Sequence, residues 1–374
     1  MGPATGTEML SLTGAHSHRL VRSPGVGSLT MGPVRPGRAR PDLVVSPTDR
    51  LDWTVFDPFT VPAGGPWPHW LHYEGDDTGF AEWTRTRPTE GFAWTPHAAH
   101  DLDLSGTSIQ HLSVTLTGAP VRLVLPDHEY GTFTAYGELD ALSISTGAEA
   151  KCPALHFCPR TVADPAAGPV ALPAFPALAA ARSVDVTVGP LRQPFDCASL
   201  LQFPEVRRLA LRGRLTNLPA LAGLRHLTGL QLRFSPDLAE LPALATWPEL
   251  EHVIAWNVDA VTGRRLRGEL RPEFRDSSVS KLRTAQWFAT EYGLPFAAWP
   301  SRTARAATSA YRAAEQAIAA GGDLEAAVRD FVRAVNQLPG IETSEREDAA
   351  TAVARLAGDR AGAAQAWFDA ERDF

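Results

Sequence analysis

The chain has 374 residues, 44% of them hydrophobic and 21% charged, which is enough for two or three ordinary domains or one repeat array with caps. Its formal net charge of −7 gives no overall attraction to nucleic acid or to anionic membranes. No apolar run reaches the length of a membrane span, and no secretory leader pattern opens the sequence. Three cysteines are too few for a disulfide framework, so the sequence predicts a reducing, cytoplasmic compartment.

Residues 1–48 are rich in Gly, Pro, Ser and Arg and show no apolar period, which predicts a disordered tail. Two alternatives stay open for this segment. Translation could start at Met9 or Met31, or the arginines could form a basic tail that contacts an anionic partner.

Residues 49–98 contain half of the ten tryptophans. Terminal repeats of an array need a cap, because their last apolar face has no neighbour, and large rings suit that role. The segment is therefore predicted to be an N-terminal cap, with an aromatic ligand platform as the alternative. The five tryptophans are Trp53, Trp67, Trp70, Trp83 and Trp94.

From residue 99 the apolar residues alternate in short pairs that recur at nearly even spacing. Alternation with period two is typical of half-buried strands, and turn residues fill the gaps. Two such strands would make one coil of about twenty residues. The pairs are Leu102 and Leu104, Leu112 and Val114, Leu123 and Leu125, Phe133 and Ala135, and Leu142 and Ile144.

The clearest internal repeat is the string Leu172-Pro173-Ala174-Phe175, whose equivalents begin at Leu218 and Leu241, with Cys197-Ala198-Ser199-Leu200 in the corresponding place. A candidate strand core follows each of the four starts at the same offset of twelve positions. These cores are Val184-Asp185-Val186, Leu209-Ala210-Leu211, Leu230-Gln231-Leu232 and Val253-Ile254-Ala255.

The units resemble the leucine-rich-repeat superfamily, whose pattern is Leu-x-x-Leu-x-Leu in units of about 20–29 residues. The pattern is met at Val206-x-x-Leu209-x-Leu211, Leu227-x-x-Leu230-x-Leu232 and Leu250-x-x-Val253-x-Ala255. The resemblance implies a solenoid over 99–270, with short strands in a parallel sheet. The turn Asn or Cys of the family is missing, since Arg214, Ser235 and Val258 stand there. The composition, poor in Lys, fits an irregular bacterial member.

From residue 277 the apolar period becomes helical, which predicts a C-terminal helical domain over 277–374, either a cap or a small bundle with its own core. Val328, Phe331, Val332 and Val335 form one apolar stripe. Asp323 is a candidate N-cap, and Ser344 to Glu347 has a capping-box pattern. The predicted helices are 279–291, 302–320, 324–337, 345–357 and 360–372.

The fold class expected from these patterns is α/β, namely a leucine-rich-repeat-like solenoid with an aromatic N-terminal cap and a C-terminal helical bundle. In such a solenoid the residues between the strand leucines point to the concave face. Exposed Ile and Trp often mark partner surfaces, and Arg and Trp are enriched at interface hot spots. The predicted partner-binding residues are Arg208, Arg212, Gln231, Arg233, His252, Ile254 and Trp256.

Motifs for chemistry are missing from the sequence. There is no phosphate loop, no nucleophile elbow and no His-Glu-x-x-His helix. Cys152, His156 and Cys158 cluster, but their spacing does not match a zinc site. The helical region has no cysteine, which excludes the catalytic-cysteine ubiquitin-ligase domain that some repeat-bearing bacterial effectors carry. No catalytic residue, metal, cofactor or small-molecule substrate is predicted.

The function predicted is therefore a non-enzymatic scaffold that binds another protein through the concave face of the repeat sheet. The first alternative is an enzyme with a site between the solenoid and the helical domain. The second is nucleic-acid binding by the inner-face arginines, against which the net charge of −7 argues.

Overall fold

A computed structural model describes residues 8–20, 25, 27–35, 39–127, 130–147, 152–162, 164, 166–189, 191 and 193–373. The chain is mixed α/β and divides into two compact units. The sheet unit comprises residues 1–34 and 40–284, and the helical unit comprises residues 35–39 and 285–374. The boundary thus lies after residue 284, somewhat later than the predicted 277.

The described part of the sheet unit contains nineteen strands. They are β1 (Glu8–Leu10), β2 (His18–Leu20), β3 (Leu29–Gly32), β4 (Leu43–Val44), β5 (Trp70–Glu74), β6 (Thr89–Thr95), β7 (His100–Asp103), β8 (Ile109–Leu116), β9 (Val121–Val124), β10 (Thr132–Gly137), β11 (Leu142–Ser145), β12 (Ala154–Pro159), β13 (Ser183–Thr187), β14 (Phe195–Asp196), β15 (Arg208–Arg212), β16 (Leu215–Thr216), β17 (Gly229–Arg233), β18 (His252–Trp256) and β19 (Ser278–Ser280).

Twelve of the described strands pair into one long parallel sheet, in the order β4-β3-β5-β6-β8-β10-β12-β13-β15-β17-β18-β19. A second parallel sheet takes the alternate strands β7, β9 and β11, and β14 pairs with β16 in the same way. The predicted short strands between 102 and 144 are thereby confirmed. They alternate along the chain between the second sheet, which contains β7, β9 and β11, and the long sheet, which contains β8 and β10.

The core follows from the alternation of side chains along each strand, since successive residues point to opposite faces. One inward position is repeated once on every strand of the long sheet from β6 to β18. All its members are buried. The column consists of Phe92, Leu112, Phe133, Leu155, Val184, Leu209, Leu230 and Val253.

The predicted strand cores at 184, 209, 230 and 253 are therefore confirmed, in mutual register. The repeated Leu-Pro-Ala strings lie in the connections, at or next to short 3₁₀ turns over Pro176–Leu178, Cys197–Gln202, Leu218–Gly223 and Leu244–Thr246. Their apolar residues, such as Leu218 and Leu221, point into the core.

Left-handed backbone recurs where four adjacent strands end. The residue after each strand has a positive φ: 115° at Gly213, 51° at Phe234, 54° at Asn257 and 53° at Lys281. An alanine Cβ at Gly213 would lie 2.3 Å from the Val188 carbonyl oxygen. Each of these four strands is thus followed by a residue with a positive φ, although the residue type changes.

The described residues of the sheet unit include two helices, α1 (Phe80–Thr86) and α2 (Ala260–Glu269). No helix was predicted at 260–269, which falls within the repeat region predicted over 99–270. Asp259 begins α2, because its carboxylate accepts hydrogen bonds from the backbone N–H groups of Val261 and Thr262.

The N-terminal segments differ from expectation. The described residues of 1–48, predicted to be disordered, include β1 to β4, because isolated apolar residues such as Leu12, Leu20, Leu29 and Leu43 are buried against the main core. Residues 49–98 do not end the array as a cap would. Their strands β5 and β6 lie within the long sheet, and β3 and β4 lie beyond them.

The helical unit contains α3 (Ala285–Thr290), α4 (Ser301–Ala319), α5 (Leu324–Asn336), α6 (Thr343–Ala357) and α7 (Ala361–Glu371). The predicted 279–291 helix is shorter because Ser278–Ser280 pairs with β18. The predicted stripe on α5 is buried, and Asp323 caps that helix by accepting from the Ala326 N–H. The capping box of α6 uses Glu342 and Glu345, two residues earlier than predicted. The unit has its own core, which includes Phe296, Trp299, Tyr311 and Phe331.

Among the described residues, no helix combines the length and the apolar character that crossing a membrane would require.

Candidate functional site

The outward side chains of β15, β17 and β18 form one continuous surface, which we call the arginine face. In register, Arg208, Gly229 and His252 form its first column, Ala210, Gln231 and Ile254 its second, and Arg212, Arg233 and Trp256 its third. Neighbouring strands of a sheet lie roughly 4.8 Å apart, so members of one column are direct neighbours. The structure therefore brings all seven predicted binding residues together on three adjacent strands.

Exposure on this face follows the strand alternation. Arg208, Arg212 and Arg233 are exposed, whereas Ile254 and Trp256 are half-buried. Leu209, Leu211, Leu230 and Leu232 occupy the inward positions between them and are buried. The inward leucines thus fix the direction in which the arginines point.

Aromatic and cationic groups stack at the third column. The Arg212 guanidinium carbon lies 4.5 Å from the centre of the Phe234 ring, which meets the Trp256 ring edge-on at 4.9 Å. A guanidinium this close to a ring centre is attracted by the ring quadrupole. Sequence reasoning missed Phe234, because only its left-handed backbone turns this ring back toward the strand ends.

A groove of about 700 Å³ runs over the first and second columns. Small residues leave it open, since Gly229 has no side chain between Arg208 and His252. Beyond the predicted residues, the groove is lined by Arg182 and Arg207, and by the carboxylates Asp185 and Asp276. One sequence signal could have found the two arginines: each lies just before a strand at the corresponding place in its coil.

The arginines of the groove and of the third column have no carboxylate within ion-pair distance in the described part of the chain. This holds for Arg182, Arg207, Arg208, Arg212 and Arg233. Arg233 instead contacts a neutral amide, since its Nη2 atom lies 3.5 Å from Gln231 Oε1. Elsewhere, arginines such as Arg122, Arg160 and Arg265 pair with acids.

Next to the arginine face, β12 and β13 bring Cys158, His156 and Asp185 together. The His156 Nε2 atom lies 3.2 Å from Cys158 Sγ, 3.2 Å from Thr187 Oγ1 and 3.7 Å from Asp185 Oδ1. His156 points outward from the sheet, because its neighbours on the strand, Leu155 and Phe157, are both buried.

These three groups do not form an activated nucleophile. Burial raises the pKa of the Cys158 thiol to about 12, so the thiol is protonated at neutral pH. The carboxylate of Asp185 and the thiol of Cys158 also approach the same ring nitrogen, whereas a catalytic triad uses both nitrogens. Burial raises the pKa of Asp185 as well, against the opposing charges of His156, Arg233 and Arg212.

On the same face of the sheet, at its N-terminal end, the outward side chains contact one another. The ring of Trp70 crosses over Gly91 and stacks on His111 at 5.8 Å, and His111 Nδ1 lies 2.9 Å from Thr132 Oγ1. An alanine Cβ at Gly91 would come within 2.1 Å of the Trp70 ring. These outward groups are engaged with one another.

Three of the N-terminal histidines also have acidic neighbours. The pairs are His69 with Glu90, His97 with Glu74 and His100 with Asp76, each within 3.1 Å. His128 lies outside the described residues. Among the residues that the structure describes, no group of three or more His, Cys, Asp or Glu side chains is suited to a metal ion.

Comparison with known proteins finds no match to this chain among family models, curated proteins or solved structures.

Proposed function

We propose that the chain is a non-enzymatic scaffold that binds a protein partner through the arginine face, on an irregular leucine-rich-repeat-like solenoid. One observation carries the proposal: three exposed arginines and a half-buried tryptophan lie in register on three adjacent strands, and no acid of the described residues pairs with those arginines. Arginine and tryptophan are the residues most enriched at interface hot spots.

The solenoid part of the proposal rests on the repeat of strand, connection and strand. Parallel pairing of successive strands supports it, because their spacing along the chain falls in the family's unit length of about 20–29 residues. The second sheet formed by the alternate strands supports it too. Each coil would bury its apolar face against the next coil, which leaves the outward side chains of a rigid sheet free to recognise another molecule.

The arrangement of the face supports binding more than catalysis. Hot-spot side chains work best when they are held in place before the partner arrives, because ordering a flexible side chain costs about 0.5–1.5 kcal/mol. The contact of Arg212 with Phe234, and of Phe234 with Trp256, holds this part of the face in one arrangement. The protonated Cys158 thiol is unsuited to nucleophilic catalysis.

The test is capture of partners from the cells that make the protein, compared between the wild-type chain and a variant with Arg208→Ala, Arg212→Ala, Arg233→Ala and Trp256→Ala. A matched control replaces Arg214, Arg225 and Arg264, exposed arginines outside the face, with alanine. We expect the face variant to lose a captured protein that the wild type and the control retain. Circular dichroism and the melting temperature check that each variant folds. Equal capture by all three would overturn the proposal.

A further inference from the structure

The charge on the arginine face contrasts with the charge of the whole chain. The chain carries 42 acidic and 35 basic residues, yet five arginines line or border this one surface. They are Arg182, Arg207, Arg208, Arg212 and Arg233. Asp185 and Asp276 are the two carboxylates among the described groove residues, and Glu251 lies beside His252 at the edge, with its Oε2 3.8 Å from His252 Nε2.

The arginines are also placed where they repel one another. Arg212 and Arg233 occupy directly paired positions on β15 and β17. Like charges directly opposite on neighbouring strands are destabilising. Neither arginine lies within ion-pair distance of a carboxylate of the described residues, although both oppose, at longer range, the rise in the pKa of Asp185 that burial causes.

The groove is shaped for an extended chain rather than for a small ion. Ala210, Gln231 and Ile254 form a low floor of mixed polarity, and Gly229 leaves it open beside Arg208. The volume of about 700 Å³ can accept several side chains, and the half-buried Trp256 lies beside the groove in the third column. A lone phosphate or sulfate would leave most of this floor uncovered.

We infer that the partner presents a segment rich in aspartate and glutamate to the arginine face, where Arg208 in the groove and Arg212 and Arg233 beside it bind its carboxylates. The inference rests on the proposed function and adds the chemistry of the partner. Guanidinium groups bind carboxylates through charge-assisted, often paired hydrogen bonds. Complementary charge of this kind also speeds encounter and excludes wrongly charged partners.

Nucleic acid is a poorer fit to the same surface. Its dense phosphate charge would meet the carboxylates of Asp185 and Asp276 as well as the arginines. The chain as a whole carries a net charge of −7, which repels a polyanion at long range. A short acidic stretch within a mixed polypeptide carries its charges farther apart and can place uncharged residues opposite those carboxylates, so both costs are smaller.

Three fluorescein-labelled probes test the inference on the full chain by fluorescence anisotropy. They are a peptide of alternating glutamate and serine, the same peptide with glutamine for glutamate, and a single-stranded oligonucleotide of equal charge. We expect the glutamate peptide to bind about tenfold more tightly than the glutamine peptide, with an affinity that falls as salt rises. It should also bind more tightly than the oligonucleotide.

Charge reversal then locates the binding. Arg208→Glu with Arg233→Glu should reduce the affinity for the glutamate peptide by more than about tenfold, whereas Arg225→Glu with Arg264→Glu should leave it within about twofold. Equal binding of the glutamate and glutamine peptides would overturn the inference, and so would tighter binding of the oligonucleotide or an unchanged affinity in the face variant.

Failure here is distinguishable from failure of the proposed function. If the alanine variant of the face loses its captured protein but the peptides are not discriminated, the face binds a partner by other chemistry, and only the acidic segment is overturned. If capture is equal in all variants, the proposed function itself falls.

Discussion

The N-terminal and C-terminal parts of the long sheet share the same parallel pairing of strands but carry different side chains on both faces of the sheet. Around β5 and β6 the core is made of rings, with Phe80 and Phe92 stacked at 4.3 Å and Trp53 nearby. Around β15 and β17 it is made of leucines such as Leu209 and Leu230. The spacing therefore comes from the backbone pairing, while the side chains that fill it can vary.

The outward faces differ in the same way. At the N-terminal end, Trp70, His111 and Thr132 contact one another, so the surface is satisfied by the chain itself. At the C-terminal end, Arg208 and Arg233 lie within ion-pair distance of no acid of the described residues. The two ends therefore differ in how far the chain pairs its own outward polar groups.

The largest expected effect tests the ring core against the leucine core. Phe92→Ala should lower the free energy of unfolding by about 3–5 kcal/mol, and Leu230→Ala by about 2–5 kcal/mol. We expect the phenylalanine change to cost more, since its ring contacts those of Phe80 and Trp53. Urea unfolding followed by circular dichroism measures both. A larger loss for Leu230→Ala would show that the rings are not the stronger anchor.

A second prediction concerns the turns at the leucine end. Gly213→Ala should destabilise the fold by about 1–3 kcal/mol, because alanine at a positive φ is strained and its Cβ would clash with the Val188 carbonyl. Gly229→Ala is the matched control, since its nearest neighbour, Arg208 Cγ, would lie 3.5 Å away. Melting temperatures compare the two variants. A Gly229→Ala loss as large as that of Gly213→Ala would contradict this account of the turn.

The third prediction tests the hydrogen bonds that polar side chains make with the chain itself near the N-terminal end of the sheet. Asp76 Oδ1 accepts hydrogen bonds from the backbone N–H groups of His97 and Ala98 and lies 3.1 Å from His100 Nε2. Burial alone would raise the pKa of Asp76, but these hydrogen bonds and the charge of His100 outweigh it and lower the pKa below 3.8. Asp76→Asn should cost about 1–3 kcal/mol at pH 7.

The sign of the pH dependence follows from that lowered pKa. The stabilising effect of the Asp76 carboxylate is fully present above the ordinary aspartate pKa and is lost as the pH falls through the lower folded value. The difference between wild type and Asp76→Asn should therefore shrink below about pH 4, as melting temperatures across pH would record. A constant difference down to pH 2 would argue against the ionised carboxylate as the cause.

The smallest expected effect sharpens the contrast from the C-terminal side. The raised pKa of Asp185, due first to burial, means that the fold favours the neutral carboxyl, an advantage that is lost as the pH rises through the folded pKa. Asp185→Asn should thus raise the free energy of unfolding at pH 7 by up to about 0.5 kcal/mol, seen as a slightly higher melting temperature. The effect should be smaller at pH 3. It should also tighten binding of the glutamate peptide. Weaker binding would contradict this expectation and would mean that the Asp185 side chain helps to bind the peptide.

Much of the fold could be predicted from the leucine spacing. Period-two alternation specifies a strand and its buried face, so the cores at 184, 209, 230 and 253 and the outward arginines followed directly. The strands β1 to β4 could not be predicted, because each is anchored by one or two apolar residues between Gly- and Pro-rich turns. β1 pairs with β2 and β3 pairs with β4 over such short stretches that no alternation is visible in the sequence.

The candidate site was predictable in its columns but not in its surroundings. The register aligned Arg212, Arg233 and Trp256, yet it did not place the Phe234 ring between them, since that depends on a backbone dihedral angle. Asp185 appeared only as the middle of a strand core. Its position beside His156 became visible when β12 and β13 were paired.

Phe234 follows its strand with a positive φ, as Gly213 and Asn257 follow the neighbouring strands. Glycine and asparagine tolerate left-handed backbone far better than phenylalanine does. A bulky residue there costs of order 1–3 kcal/mol. The ring obtained at that cost lies against Arg212 and Trp256. Glycine at this position would relax the backbone and leave both side chains without their support. A sequence selected only for thermal robustness would therefore drift toward glycine here and lose the ordered end of the arginine face.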